Sequence, residues 1–312
     1  RVVRALMERR EATVITSIGG CMDHLLPLEF IRGQVLHLKN DSTVDLEEIK
    51  RKLIDLGYER MPQVEQSGQF SVRGGIIDIF SLTEENPWRI ELWGEEVDSI
   101  RSFDVESQRS IENLDEIDVY PATEMVLTEA ARERGIKAIQ KEAKACIKKM
   151  RDQMMTEEAA RIRTSAEEIT EQLREEENYD GAQQYLHYFY PDTVSFLEYF
   201  PKDTPVILDE LNHISECASA LELEFQESMT HRLEKGYLLP GQADLLRKRA
   251  EVTASLNRRH CAALCMMEPK KGDWEISRSY SLDVRSVNSY NNQFELLVKD
   301  LKEWKKLSLI HI

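Results

Sequence analysis

The sequence predicts an α/β protein that carries an inserted α+β module. Three observations predict it. The apolar spacing changes from a helical period to alternation after Gly57, a polar helical stretch follows Pro121, and a short apolar strand with a helix behind it returns at PVILDE, residues 205–210. At 312 residues the chain has room for about two domains and needs no disulfide or metal staple.

Taken in order, residues 1–9 carry a helical pattern and ATVIT (12–16) reads as a short buried strand. CMDHLLPLEFI is a broken apolar stretch, and VLHLK (35–39) alternates as a strand does. Residues 44–57 form a well-signalled helix. Asp45 caps it, Glu48 completes a D-x-x-E pattern, Val44 and Ile49 occupy the places of a hydrophobic staple, and Gly57 stops it. QFSVR, GIIDIF, WRIELW and EVDSIRSFD follow as strands separated by Gly74–Gly75, TEENP and Gly94–Glu95, with DEIDVYP (115–121) as a fifth. This helix and its strands bound the α+β module at about 40–122.

From Thr123 to Glu177 the chain is polar and helical, with a net charge of +4 over 127–150 and −6 over 151–180. Ile162, Ala166, Ile169 and Leu173 mark one buried stripe. The charge blocks read as solvated helix faces or as a partner surface, a weak DNA contact through 127–150 included. After Tyr179, SFLEYFP leads into the PVILDE strand and a helix at roughly 213–229. A Leu/Arg-rich helix after GYLLPG, strand-like CAALCMM and EISRSYS, and the helix NNQFELLVKDLKEWKK complete the pattern. If the first 40 residues and the region after 180 share a sheet, the module interrupts a discontinuous domain. The opening at Arg1 in mid-pattern and the abrupt apolar LSLIHI (307–312), a strand start or a sequence scar, suggest a piece of something longer.

Composition excludes several classes. The longest apolar run, Cys261 to Met267, is far short of the roughly 20 residues that span a bilayer, so no membrane role is expected. Against 57 acidic residues stand 41 Lys and Arg, a net charge of −16, so nucleic-acid binding would need a local basic patch. Five scattered cysteines without a CxxC pair suit a reducing compartment, and a cytoplasmic location is expected.

Chemistry is sparse. No phosphate-cradling GxxxxGK[ST] loop occurs. Asp209 and Glu210, at the end of PVILDE, echo the magnesium- and water-holding acids of nucleotide hydrolases, but paired acids are also common at strand ends. His260, Cys261 and Cys265 sit in a run that reads as buried strand, which points to core packing rather than to metal. No catalytic or metal-ligating set emerges. Arg73, Arg89 and Arg101 fall near strand ends with Trp88 and Trp93 nearby, the residue types richest in interface hot spots. The alternative is that these arginines pair with Glu91, Glu95 and Glu96 on a charged sheet face.

SGQFSVRGGIIDIF, PWRIELWGEEVDSIRSFDVESQRS and IDVYPATE resemble the N-terminal region of the bacterial transcription-repair coupling factors. The excision-repair protein UvrB shares the block less closely. The resemblance runs from TSIGGCMDHLLP to the final helix, and its RGG-x-x-D-x-F and FD-x-x-[ST]-QRS elements are long and specific. It implies a degenerate RecA-like domain, residues 1–40 and 123–285, interrupted by a UvrA-binding domain at 41–122, with the next domain starting at 286–312. It also implies that the segment recruits UvrA through Arg73, Arg89 and Trp93, where the family's third contact is typically phenylalanine. Masking of that surface by a distant C-terminal domain is implied too. The RNA polymerase contact, the double-stranded DNA contact and the ATP- and magnesium-using motor domains would lie downstream, leaving this segment without catalysis or cofactor. Two readings follow. In the first, an Arg73→Glu, Arg89→Glu pair abolishes UvrA binding and leaves the fold intact. In the alternative, the chain is a UvrB-like helicase fragment with Asp209 and Glu210 in a nucleotide site.

Overall fold

The computed structural model describes residues 2–8, 10–175, 181–270, 272, 274–282, 289–290 and 293–306. Contacts divide the chain into two units, Arg1–Trp274 and Glu275–Ile312. In the first, three short helices, α1 (Val2–Met7), α2 (Ile18–Met22) and α3 (Leu28–Arg32), precede β1 (Leu36–Lys39) and α4 (Leu46–Asp55). Asp45 caps α4 by accepting from the amides of Glu47 (2.7 Å) and Glu48 (3.3 Å). Val44 and Ile49 both pack into the core below, as a staple requires. Gly57 closes the helix at φ 84°, and a Cβ there would come within 2.8 Å of Thr123. Both the turn and the close return of the chain therefore select glycine.

Six strands follow as one sheet: β2 (Glu59–Arg60), β3 (Gln69–Arg73), β4 (Ile76–Phe80), β5 (Trp88–Trp93), β6 (Glu96–Phe103) and β7 (Ser110–Leu114), in sequence order. β2 and β7 were not expected. The former has only two residues, and the latter alternates too weakly, exposing four of its five. β8 (Glu116–Val119) does not join this sheet. It pairs antiparallel with β1, Leu36 against Val119, so the expected fifth strand belongs to a separate ribbon. One core unites β1, α4, β3 to β6 and β8, with Leu53, Tyr58, Phe70, Ile77, Ile79 and Ile90 fully enclosed. The Ala122 amide donates to the Leu56 carbonyl at 2.7 Å, tying the exit of this region to the end of α4.

The long helices α5 (Glu129–Asp152) and α6 (Thr156–Glu175) pack against each other, and the expected stripe Ile162, Ala166, Ile169 and Leu173 is buried. α7 (Leu186–Phe189), β9 (Val206–Asp209), α8 (Leu211–Glu234), α9 (Arg249–Asn257) and β10 (Cys261–Leu264) follow, with β9 and β10 paired in parallel. The early helices pack on this later region. Leu25 and Val194 exchange backbone bonds of 2.9 and 2.8 Å, and Cys21 and Met22 share a core with Leu208, Leu211 and Val252. The chain therefore leaves this assembly after residue 32, builds the sheet region and returns. The join is made by helices and loops; among the described residues, β1 shares no sheet with β9.

Three local expectations fail. Residues 12–16 form no strand, and Ile15 is 93% exposed, because no neighbouring strand satisfies its backbone. CAALCMM does form β10, but all four strand residues are exposed, so His260, Cys261 and Cys265 do not lie in a buried strand. EISRSYS is irregular and largely exposed. In the second unit, α10 (Phe294–Lys306) is the expected closing helix; Leu307–Ile312 lie outside the described residues.

A candidate protein-docking face on the six-stranded sheet

Alternation assigns the two faces of the sheet. Phe70, Val72, Ile77, Ile79, Trp88, Ile90 and Leu92 point into the core. Arg73, Asp78, Arg89, Glu91, Trp93 and Arg101 occupy the opposite face. Register places Ser71, Asp78, Arg89 and Arg101 in one row across four strands. Trp88, one of the two tryptophans read near the arginines, is thus a core residue.

Asp78 organises the row. It is 1% exposed, and its carboxylate accepts from Arg89 Nε (2.7 Å) and Nη2 (2.8 Å) and from Arg73 Nη2 (2.8 Å). The Arg89 fork is bidentate, the geometry that best satisfies a carboxylate removed from water. Arg89 also donates to Gln108 Oε1 at 2.9 Å and lies 4.3 Å from the Phe103 ring centroid. Hydrogen bonding to Asp78 raises the pKa of Arg89, so the guanidinium stays charged. The side chain of Arg89 is only 14% exposed, whereas that of Arg73 is 47% exposed. Arg73 therefore presents charge, and Arg89 chiefly holds the acid that orients it. Arg101 pairs separately with Glu91.

Trp93 stands at the end of β5 with 83% of its surface exposed. The Leu92 amide donates to the Gly75 carbonyl at 2.7 Å, and a Cβ on Gly75 would come within 2.8 Å of the Leu92 carbonyl. Gly75 thus lets the β3–β4 turn sit against the end of β5. Arg73 and Trp93 share that end and, by alternation, that face.

The expected pairing with Glu91, Glu95 and Glu96 holds for Arg101 alone. Asp78, Gln108 and Phe103 were missed, although the acid between Ile77 and Ile79 was a readable signal of an outward carboxylate. Its partners depended on register. Asp78 also changes the expected result of the double substitution. Arg89→Glu would set a second carboxylate against a buried one, so that variant would disturb the fold as well as the surface.

The family profile described as UvrB interaction domain matches residues 36–125, the region from β1 to just past β8. The chain is 35% identical over 238 residues to the transcription-repair-coupling factor of Bacillus subtilis, a match covering 76% of this chain. It is 32% identical over 247 residues to the factor of the same name from Staphylococcus aureus strain Mu50, covering 78%. The chain belongs to the transcription-repair-coupling factor family. It spans about a fifth of the length of these relatives, since each match covers 20% of the relative.

Elsewhere in the chain, Asp209 is exposed at the end of β9, and Glu210 adopts φ 60° and ψ 78° ahead of α8. The Glu210 carboxylate accepts from the Met266 amide at 2.7 Å, and its own amide donates to the Leu264 carbonyl at 2.8 Å. The residue thus fastens the exits of the two parallel strands. No described helix is long and apolar enough to cross a membrane.

Proposed function

We propose that this segment recruits UvrA, with Arg73 and Trp93 as its direct contacts and Arg89 acting with Asp78 to hold Arg73 in place. The observation that carries the reading is the pairing of an exposed, carboxylate-held arginine with an exposed indole at one end of a sheet. A guanidinium fixed before docking loses little conformational freedom on binding, and an indole supplies contact area at the same small entropic cost. The UvrB interaction domain profile over 36–125 supports the placement. In the same reading, residues 1–40 and 123–285 form a degenerate RecA-like domain around the docking domain at 41–122. A further domain begins at 286–312, and a distant C-terminal domain masks the face at rest. The contact with RNA polymerase, and ATP- and magnesium-dependent translocation along double-stranded DNA, belong to the rest of the longer protein. The segment itself performs no catalysis.

Calorimetric titration of the chain with purified UvrA, at two salt concentrations, tests the docking. The expected result is micromolar or tighter binding that weakens with salt and is abolished by joint Arg73→Gln and Trp93→Ala substitution, which adds no carboxylate beside Asp78. An Arg73→Gln, Trp93→Ala variant that melts like the parent and keeps its affinity would sink the proposal.

A further inference from the structure

α5 carries a second charged surface, on the opposite side of the helix from its packing. Ala131, Gly135, Ile139 and Ala143 are buried against the core shared with α6 and α7. On the other side Arg134, Lys137, Lys141, Lys144, Lys148 and Arg151 are all exposed. Their alternating three- and four-residue steps keep them within an arc of about 100° and spread them over about 25 Å of helix. Lys137 meets Glu133 at 3.5 Å, an exposed pair of small worth. Among the described residues, no ion pair engages the other five. Between Arg134 and Arg151 the stripe contains no carboxylate, since Glu142 turns away to meet the hydroxyl of Tyr188 and the amide of Gly241.

Six aligned cations on a chain of net charge −16 concentrate positive potential where the rest of the molecule repels anions. The stripe contains no exposed aromatic or aliphatic anchor, and lysine is depleted in protein–protein interfaces. Regular spacing, flexible ammonium groups and no apolar centre suit a polyanion whose charges also repeat along a line. Duplex nucleic acid presents such a line on its phosphate backbone. We infer that the outer face of α5 binds the phosphate backbone of a nucleic-acid duplex without reading its sequence. The contact is distinct from the sheet face and does not rest on the UvrA reading.

The test is fluorescence anisotropy of a short mixed-sequence DNA duplex with the whole chain, across a salt series. Log affinity should fall against log salt with a slope between about −3 and −5, as expected for up to six neutralised phosphates. Joint Lys141→Gln, Lys144→Gln and Lys148→Gln substitution should weaken binding at low salt by at least about tenfold and reduce the slope by about three. Its melting temperature should match the parent, because these side chains touch solvent. Absence of binding at about 50 mM salt, or equal binding by the triple variant, would overturn the inference. So would tighter, lysine-dependent binding of poly-glutamate than of the duplex at the same salt, which would assign the stripe to an acidic protein.

Discussion

The sheet face and α5 both display basic residues, but they hold them in opposite ways. On the sheet, two arginines converge on Asp78, a carboxylate with almost no access to water. On α5, the cations stand in a row with a single exposed carboxylate pair. The first arrangement fixes direction, encloses Arg89 and leaves Arg73 to present its charge. The second leaves charge mobile and maximises its field. A held guanidinium suits a shaped partner, whereas free ammonium groups suit a partner that offers charge without shape.

Removing the acid breaks the comparison most strongly. Asp78→Ala leaves Arg89 nearly enclosed without its counter-charge, and chemical denaturation should register a loss of about 3–5 kcal/mol. If stability were unchanged, Arg89 would be as free as the lysines of α5 and the contrast would fail. The helix side can be sharpened through its seating. A Cβ on Gly135 would lie 2.1 Å from Cδ1 of the fully buried Phe189. Gly135→Ala should therefore destabilise by about 1–3 kcal/mol, despite a helix-propensity gain of about 1 kcal/mol. A stabilised variant would mean that the ring shifts without cost.

His24 supplies the third and smallest test, because it is a potential cation that no carboxylate among the described residues holds. Burial, with Arg247 and His187 nearby, lowers its pKa to about 4, and Asp244 opposes the shift without reversing it. Its ring sits edge-on to His187 at 4.6 Å and bonds to the Thr193 hydroxyl at 2.7 Å. The unfolded chain takes up a proton near pH 6.5 that the folded chain refuses until about pH 4. This contribution is fully present above pH 6.5 and is lost as pH falls through that window. Urea melts of the parent and His24→Gln should converge with falling pH, and parallel curves would refute the assignment.

Much of this was legible from local pattern. The α4 cap and stop, the α6 stripe and most strands of the sheet appear where residue spacing and turn chemistry put them. The family resemblance also points to Arg73, Arg89 and Trp93, which the sheet places on one face. What stayed hidden was nonlocal. Alternation assigns a residue to a face, but only hairpin register decides that Asp78 lies beside Arg89 and that β8 leaves the sheet to pair with β1. ATVIT and CAALCMM carry the same apolar signature as a buried strand, yet burial requires a neighbouring layer that no short segment specifies.

The sequence by itself determined most of the helices and strands, and which positions share a face, because backbone sterics and side-chain period act within a few residues. Tertiary structure alone decided which charges are held and which are free. Asp78 holds Arg89 because hairpin register sets β4 beside β5 and brings the two side chains within 3 Å, and the lysines of α5 face solvent because Gly135 and Ala143 turn the other side of the helix onto the core.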